Sequence, residues 1–245
     1  MMSLREGARQ LGIDLSDRQV AAFERYRTDL LDWNQRFNLT AITDPDEIDG
    51  KHFLDSLSCP AALPRIDRRP AARWLEEPLR AVDVGAGAGF PGLPLKIVWP
   101  ELRLTLLEAT GKKCRFLEHV VAGLGLEHVT VVNARAEDFG QGAGREAFDL
   151  ALARAVTRLP ALLEYALPLL RVGGWLIAQK GRDPGDELVT ARVALETLGG
   201  SFHDSMPVSV PGLDAERNLV IIAKAAPTPA AYPRQAGTPK RQPIL

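Results

Sequence analysis

The run Val82-Asp83-Val84-Gly85-Ala86-Gly87-Ala88-Gly89-Phe90-Pro91-Gly92 is the segment of this chain whose residue types and spacing best suit chemistry. An apolar stretch ends in an acid, glycines follow at 85, 87, 89 and 92, and Leu93-Pro94-Leu95-Lys96-Ile97 continues as a helix would. Glycines are needed where the backbone takes left-handed angles or approaches a ligand without a side chain between them. Pro91 and Pro94 suit a helix's first turn, where a missing amide hydrogen costs little. In open α/β sheets such a unit binds its ligand beyond the carboxyl ends of the strands. The dinucleotide spacing G-x-G-x-x-G fails from Gly85, which reaches Phe90, and is met from Gly87, which reaches Gly92; alone it is weak. Glu108, the acid ending the next apolar run, suits the ribose of a dinucleotide or of another nucleoside ligand.

Asp83, Glu108 and the acids of Ala134-Arg135-Ala136-Glu137-Asp138 form a series over three successive strand ends. That series resembles the class I methyltransferase pattern. The resemblance implies S-adenosyl-L-methionine, with the loop against its methionine part, Glu108 on the ribose hydroxyls and the third strand end on adenine. A nicotinamide dinucleotide, and a glycine turn that binds nothing, are the competing readings. The Asn/Asp-Pro-Pro-aromatic run of many amine methyltransferases is absent, since the fourth strand ends in Ala153-Arg154-Ala155-Val156-Thr157. A cysteine nucleophile is also poorly served: Cys114 falls in an expected helix and Cys59 lies upstream, and both read as packing residues. What remains is an acceptor that is already nucleophilic, such as guanine N7, which loses no proton on methylation. Positioning alone reduces such a barrier by roughly 7–11 kcal/mol.

The elements that must hold these residues follow from periodicity. Ser16 precedes a helical stripe of Val20, Phe23, Leu30, Leu31 and Phe37, closed by Asn38-Leu39-Thr40. A second apolar segment, Ile48 to Leu57, carries His52, Asp55 and Ser56, and residues 59–78 read as a Pro-, Ala- and Arg-rich connector. From Leu79 strands are expected at 79–85, 102–109, 128–138, 148–156 and 175–181, the last entered by a turn at Gly173-Gly174, with two more near 206–210 and 217–224. Helices are expected at 112–124, from Leu159 to Leu170, and at 186–198. This predicts an α/β, Rossmann-like, doubly wound, mostly parallel seven-stranded sheet. The organisation expected is a helical cap and connector (1–75), the sheet domain (76–225) and a basic, proline-rich tail (226–245).

Composition sets limits without naming a function. The 245 residues are 46% apolar and 25% charged, with a net charge of −1, so any nucleic-acid site must come from local basic clusters. Two cysteines without partners at metal-ligand spacing argue against a disulfide framework or metal site. With no signal-peptide core and no membrane-length apolar run, a cytoplasmic protein is expected.

One family joins these features. FNLTAIT (37–43), KHFLDSL (51–57), VDVGAGAGFPGLPLKI (82–97), LLEATGKKCRFL (106–117), ARAED (134–138), ARAV (153–156), QKG (179–181), ERNLVII (216–222) and YPRQAGTPKRQPI (232–244) together closely resemble the glucose-inhibited division protein B family. These are small-subunit ribosomal RNA guanine-N7 methyltransferases. The resemblance covers nearly the whole chain and implies 7-methylguanosine formation in the 530 loop of 16S rRNA, at the guanine conventionally numbered 527. It implies donor contacts from Gly85, Gly87 and Phe90, from Glu108, Ala109 and Thr110, from Ala136 and Glu137, and from Arg154. Glu108 stands where some members have Asp, and either side chain presents a carboxylate to the ribose.

The remaining polar residues each have two readings. Arg154 is the one candidate near the reaction centre: it fixes a carboxylate or phosphate with its bidentate fork, or it makes a structural ion pair. His52 and Asp55 share a helix face and either line a pocket or cap and bridge elements. Asn38 pairs with a base or caps its helix. Lys112, Lys113, Arg115, Lys180, Arg217, Arg234, Lys240 and Arg241 are candidates for RNA phosphates or are solvated surface. The tail is an RNA contact or a disordered end. The expected partner is 16S rRNA or the small ribosomal subunit, with the chain a monomer. A small-molecule methyltransferase and a noncatalytic, donor-sensing rRNA-binding factor stand as the alternative functions.

Overall fold

The computed structural model describes residues 2–181 and 183–245. From Arg80 onward the buried apolar runs become strands: β1 (Arg80–Val84), β2 (Arg103–Glu108), β3 (Val129–Asn133), β4 (Phe148–Arg154), β5 (Leu170–Lys180), β6 (Gly200–Pro207) and β7 (Asn218–Lys224). They form one sheet in the order β3-β2-β1-β4-β5-β7-β6. The first five pair in parallel, while β7 runs antiparallel to β5 and to β6. The chain winds outward from β1 to β3 and then returns to place β4 on the other side of β1. That reversal opens a crevice at the carboxyl ends of β1 and β4, and the glycine loop leaves β1 there.

Helices bury both faces, which is why the central strands read as continuous apolar runs rather than alternating ones. On one face Leu106 and Leu152 pack with Leu93, Phe116 and residues of the N-terminal helices, including Phe23, Tyr26, Leu30 and Phe53. On the other, Val82, Leu107, Leu176 and Ile222 pack against Leu163 and Leu198, from the Leu159–Ala166 and Arg192–Leu198 helices. The Asp17–Phe37 helix starts at a capping box between Ser16 and Gln19, worth about 1 kcal/mol. It stops where Asn38 turns left-handed at φ 43°. A continuous helical stretch then runs through Pro45–Ile48, a π-helical turn at Asp49–Leu54, and Asp55–Leu57. Such wide turns often mark functional sites, and this one carries Lys51 and His52.

Several expected boundaries shift for identifiable reasons. The third strand stops at Asn133 instead of reaching 138; Ala136–Gln141 is a helix whose first turn holds Glu137 and Asp138, the charges a helix N-terminus favours. The fifth strand begins at Leu170, because the Gly173-Gly174 pair sits in a bulge opposite Phe148–Leu150 and not in a turn before the strand. β6 occupies Gly200–Pro207 rather than 206–210: its sequence GSFHDSMP is polar, since it forms the sheet's edge. The helix expected over 186–198 is two, Gly185–Thr190 and Arg192–Leu198. The C-terminal segment folds back on the domain, with a short helix at Thr238–Arg241.

Candidate active site

Asp83 enters from β1 with no exposed surface. Its Oδ2 accepts the Gly92 N–H at 2.8 Å, and its Oδ1 is buried without a partner among the described residues. Burial pushes this carboxyl up to about 7, opposed by the Gly92 N–H and the Arg154 cation and reinforced by Glu108. A Cβ on Gly92 would stand 2.7 Å from Asp83 Oδ2, so this approach requires glycine. Gly85 and Gly87 take φ values of 71° and 61°, and a Cβ on Gly87 would meet only a carbonyl oxygen 3.8 Å away, leaving that surface of the loop open. Glu108 Oε2 accepts the Gly87 N–H at 3.0 Å, and Oε1 accepts the Thr110 N–H at 2.8 Å. The carboxylate thus ties the loop after β1 to the loop after β2 and keeps a lone pair on each oxygen.

The N-terminal helices complete the loop from the other side. The buried Tyr26 hydroxyl donates to the Ala88 carbonyl at 2.5 Å, and its ring stacks on Phe90 at 5.5 Å. Phe90 in turn stacks on His52, 4.4 Å away and 14° from parallel, while the Arg154 guanidinium lies 4.9 Å from the Phe90 ring centre. Tyr26 was not singled out by its sequence. The available signal was a phenol spaced three and four residues from Phe23 and Leu30, in the middle of an apolar stripe.

Arg154 closes β4 and is the hub of a polar cluster. Its Nη1 donates to Asp55 Oδ2 at 2.7 Å and to the Lys51 carbonyl at 3.1 Å, and Nη2 lies 3.2 Å from His52 Nδ1. Asp55, only 3% exposed, takes a second cation on Oδ1, where Arg217 Nε donates at 2.8 Å. Burial first, and then the Arg154 charge, lower the His52 pKa to about 4, so the ring is neutral at neutral pH. An arginine can only donate, so Nδ1 accepts and Nε2–H donates to Thr40 Oγ1 at 2.8 Å. The next residue, Ala155, is left-handed at φ 54°, which turns the chain away from the sheet at this point. A cavity of about 390 Å³ opens beside the cluster, lined by His52, Asp55, Arg154, Thr157, Lys180 and Arg217. Val156 also lines it, and its side chain lies 3.3 Å from where a Gly85 Cβ would stand, so cavity and glycine loop adjoin.

The residues named for donor contact therefore converge: Gly85, Gly87 and Phe90 after β1, Glu108, Ala109 and Thr110 after β2, and Ala136 and Glu137 after β3 all lie along one row of strand ends. Arg154 flanks that row on β4. The basic candidates do not converge. Lys180 is paired with Glu187 at 2.7 Å, Arg217 with Asp55, and Arg234 with Glu164 at 2.6 Å. Each of these three makes an ion pair within the chain. Lys112 and Arg115 are exposed at the start of the Gly111–Leu124 helix with Lys113 half-buried beside them, and Lys240 and Arg241 are exposed on the tail. Asn38 is exposed and in the capping conformation. Both cysteine thiols are buried and their pKa values pushed up by burial, as packing residues would be.

The sheet order and the strand-end row define a class I methyltransferase fold. Solved structures of similar architecture include a protein described as a sarcosine dimethylglycine methyltransferase from Galdieria sulphuraria (TM-score 0.55, 10% identity, covering 74% of this chain and 88% of that one). Another is P. horikoshii TYW2 in complex with MeSAdo (TM-score 0.50, 18% identity, covering 61% and 59%). The chain belongs to the GidB family, rRNA small subunit methyltransferase G, whose model matches residues 19–220. Curated relatives named ribosomal RNA small subunit methyltransferase G include one from Roseiflexus castenholzii, 51% identical over 96% of this chain and 95% of that protein. Another, from Alkaliphilus metalliredigens, is 43% identical over 99% and 98%.

Proposed function

We propose that this chain transfers a methyl group from S-adenosyl-L-methionine to N7 of a guanine in 16S rRNA, forming 7-methylguanosine at guanine 527 of the 530 loop. It acts as a cytoplasmic monomer on 16S rRNA or the small ribosomal subunit. The donor site of this reading is Gly85, Gly87, Phe90, Glu108, Ala109, Thr110, Ala136, Glu137 and Arg154. The open loop at Gly87, the unpartnered Asp83 oxygen and the spare lone pairs of Glu108 suit a cationic ligand that carries ribose hydroxyls. When bound, the donor supplies an electrophilic methyl on a sulfonium.

One observation carries the acceptor reading: every ionisable group around the adjoining cavity is already committed. Asp55 holds two arginines, Lys180 holds Glu187, and His52 is neutral with both ring nitrogens engaged. Among the described residues that line the cavity, no side chain is poised to remove a proton, and guanine N7 has none to lose. The chain's work is to hold donor and base in line, with Phe90, His52 and Arg154 as the shared wall between loop and cavity. Positioning contributes an effect of this size only if the wall is rigid, and the stacked and charge-paired contacts supply that rigidity.

The test follows labelled methyl into unmethylated small subunits. Wild-type protein should place it in 7-methylguanosine of 16S rRNA. Glu108→Ala should weaken donor binding by roughly tenfold or more, the size of a lost charge-assisted hydrogen-bond pair. Binding of rRNA with no transfer of label, or donor affinity unchanged in Glu108→Ala, would refute the proposal.

A further inference from the structure

The motif Tyr232-Pro233-Arg234-Gln235-Ala236-Gly237-Thr238 has no part in the reaction as described, yet it is tied into the protein more firmly than a solubilising tail requires. Arg234 is clamped to Glu164, a carboxylate with no exposed surface. The backbone N–H of Arg234 donates to Glu164 Oε1 at 2.8 Å, its Nε to the same oxygen at 2.9 Å, and its Nη2 to Oε2 at 2.6 Å. Upstream, Arg145 donates to the carbonyls of Tyr232 and Thr228, at 2.7 and 2.6 Å.

The segment so anchored also contacts both ends of the Ala136–Gln141 helix. At its C-terminal end, Gln141 Nε2 donates to the Pro233 carbonyl at 2.6 Å, and Pro233 packs so close to Gly140 that a Cβ there would lie 3.1 Å from its ring. At its N-terminal end, the Gly237 N–H donates to Glu137 Oε1 at 2.7 Å, while Glu137 itself is only 4% exposed. Gly237 holds φ 83°, and this left-handed turn aims its amide at the carboxylate. The braced helix has six residues and no side-chain N-cap, far short of the length at which a helix in water stands alone. Its place is fixed by what packs on it.

We infer that the C-terminal segment 232–242 is a positioning element of the methyl-donor site. It fixes the first turn of the Ala136–Gln141 helix, and so the Ala136–Glu137 wall at the end of β3. Glu137 acts through this contact, its carboxylate held by the tail and its backbone presented to the ligand. The inference rests on the reading of the strand-end row as the donor site, and predicts that losing the tail raises the donor KM while sparing kcat at saturating donor.

The experiment measures donor affinity by calorimetry, and KM and kcat for methyl transfer, in the full chain, in a chain ending at Ala230, and in full-length Gly237→Ala. The alanine meets no atom closer than 3.9 Å and therefore strains only the turn. The shortened chain should bind the donor roughly tenfold more weakly, the size of one lost hydrogen-bonded contact with its packing, and a synthetic 231–245 peptide added in trans should restore it. Gly237→Ala, which stays folded, should show a smaller rise in donor KM with kcat retained. Wild-type donor affinity in Gly237→Ala, or in a folded shortened chain, overturns the inference. Failure of the full chain to bind the donor would instead overturn the donor-site reading.

Discussion

Arg154 grips Asp55 with one nitrogen of its guanidinium and His52 with the other, and its face lies on Phe90. The side chain therefore joins β4, the π-helical turn and the glycine loop, which a lysine's single point charge cannot do. Arg154→Ala should lower kcat/KM by about 10²-fold, the cost of misplacing reactants by an ångström. It should also cost about 2 kcal/mol in chemical denaturation, less than for an orphaned buried charge because Arg217 still faces Asp55. Arg154→Lys should recover most of that stability but not the turnover; equal recovery of both would contradict a positioning role. His52 sets a pH dependence at the same scale. Folded, it stays neutral down to about 4, whereas the unfolded chain protonates it near 6.5. Between those values the unfolded state holds more protons, so this contribution is fully present above pH 6.5 and is lost as pH falls toward 4, by roughly 3 kcal/mol at most. Asp83, with its pKa raised to about 7, gives the opposite slope from about pH 4 to 7. Denaturation of wild type and His52→Gln across pH 4 to 7 separates the two, and parallel curves would contradict the histidine assignment.

The glycine loop is shaped by elements on both sides of it. Glu108 holds it from β2, and Tyr26 reaches it from the Asp17–Phe37 helix, 62 residues away in sequence. Tyr26→Phe keeps the stacking and removes one hydrogen bond to the Ala88 carbonyl. It should cost about 1 kcal/mol and weaken donor binding a few-fold; unchanged donor affinity would show that the helix merely packs against the loop. The strands β1, β2 and β4 and the helices between them were legible in the chain because their apolar runs and glycine punctuation are local signals. Asp83 and Glu108 stood out because each sits at or next to the end of such a run, whereas Glu137 lies four residues past β3, in a helix. β6 was misplaced because an edge strand has no buried apolar pattern to display, and the third strand was overextended because Ala134-Arg135-Ala136 carries no stop signal. Tyr26, the Asp55–Arg217 pair and the tail's grip on Glu137 and Glu164 were not legible, since they join residues far apart in sequence whose types are ordinary where they stand.

At the scale of the whole molecule, the sheet holds the strand-end row on one side of its switch point and the cavity beside it, with the N-terminal helices and the C-terminal segment packed against them. No helix among the described residues is long and apolar enough to cross a membrane. The near-neutral net charge places the burden of RNA contact on local groups, and of the basic candidates Lys180, Arg217 and Arg234 make ion pairs within the chain. Lys112 and Arg115 at the start of the Gly111–Leu124 helix, and Lys240 and Arg241 on the tail, are the exposed basic candidates. The central claim is the identity of the acceptor atom, and it is tested most directly by mapping 7-methylguanosine in 16S rRNA from cells with and without this gene. The account predicts the modification at guanine 527 of the 530 loop, lost with the gene and restored by the wild-type chain but not by Glu108→Ala. Unchanged 7-methylguanosine in the gene's absence would contradict it.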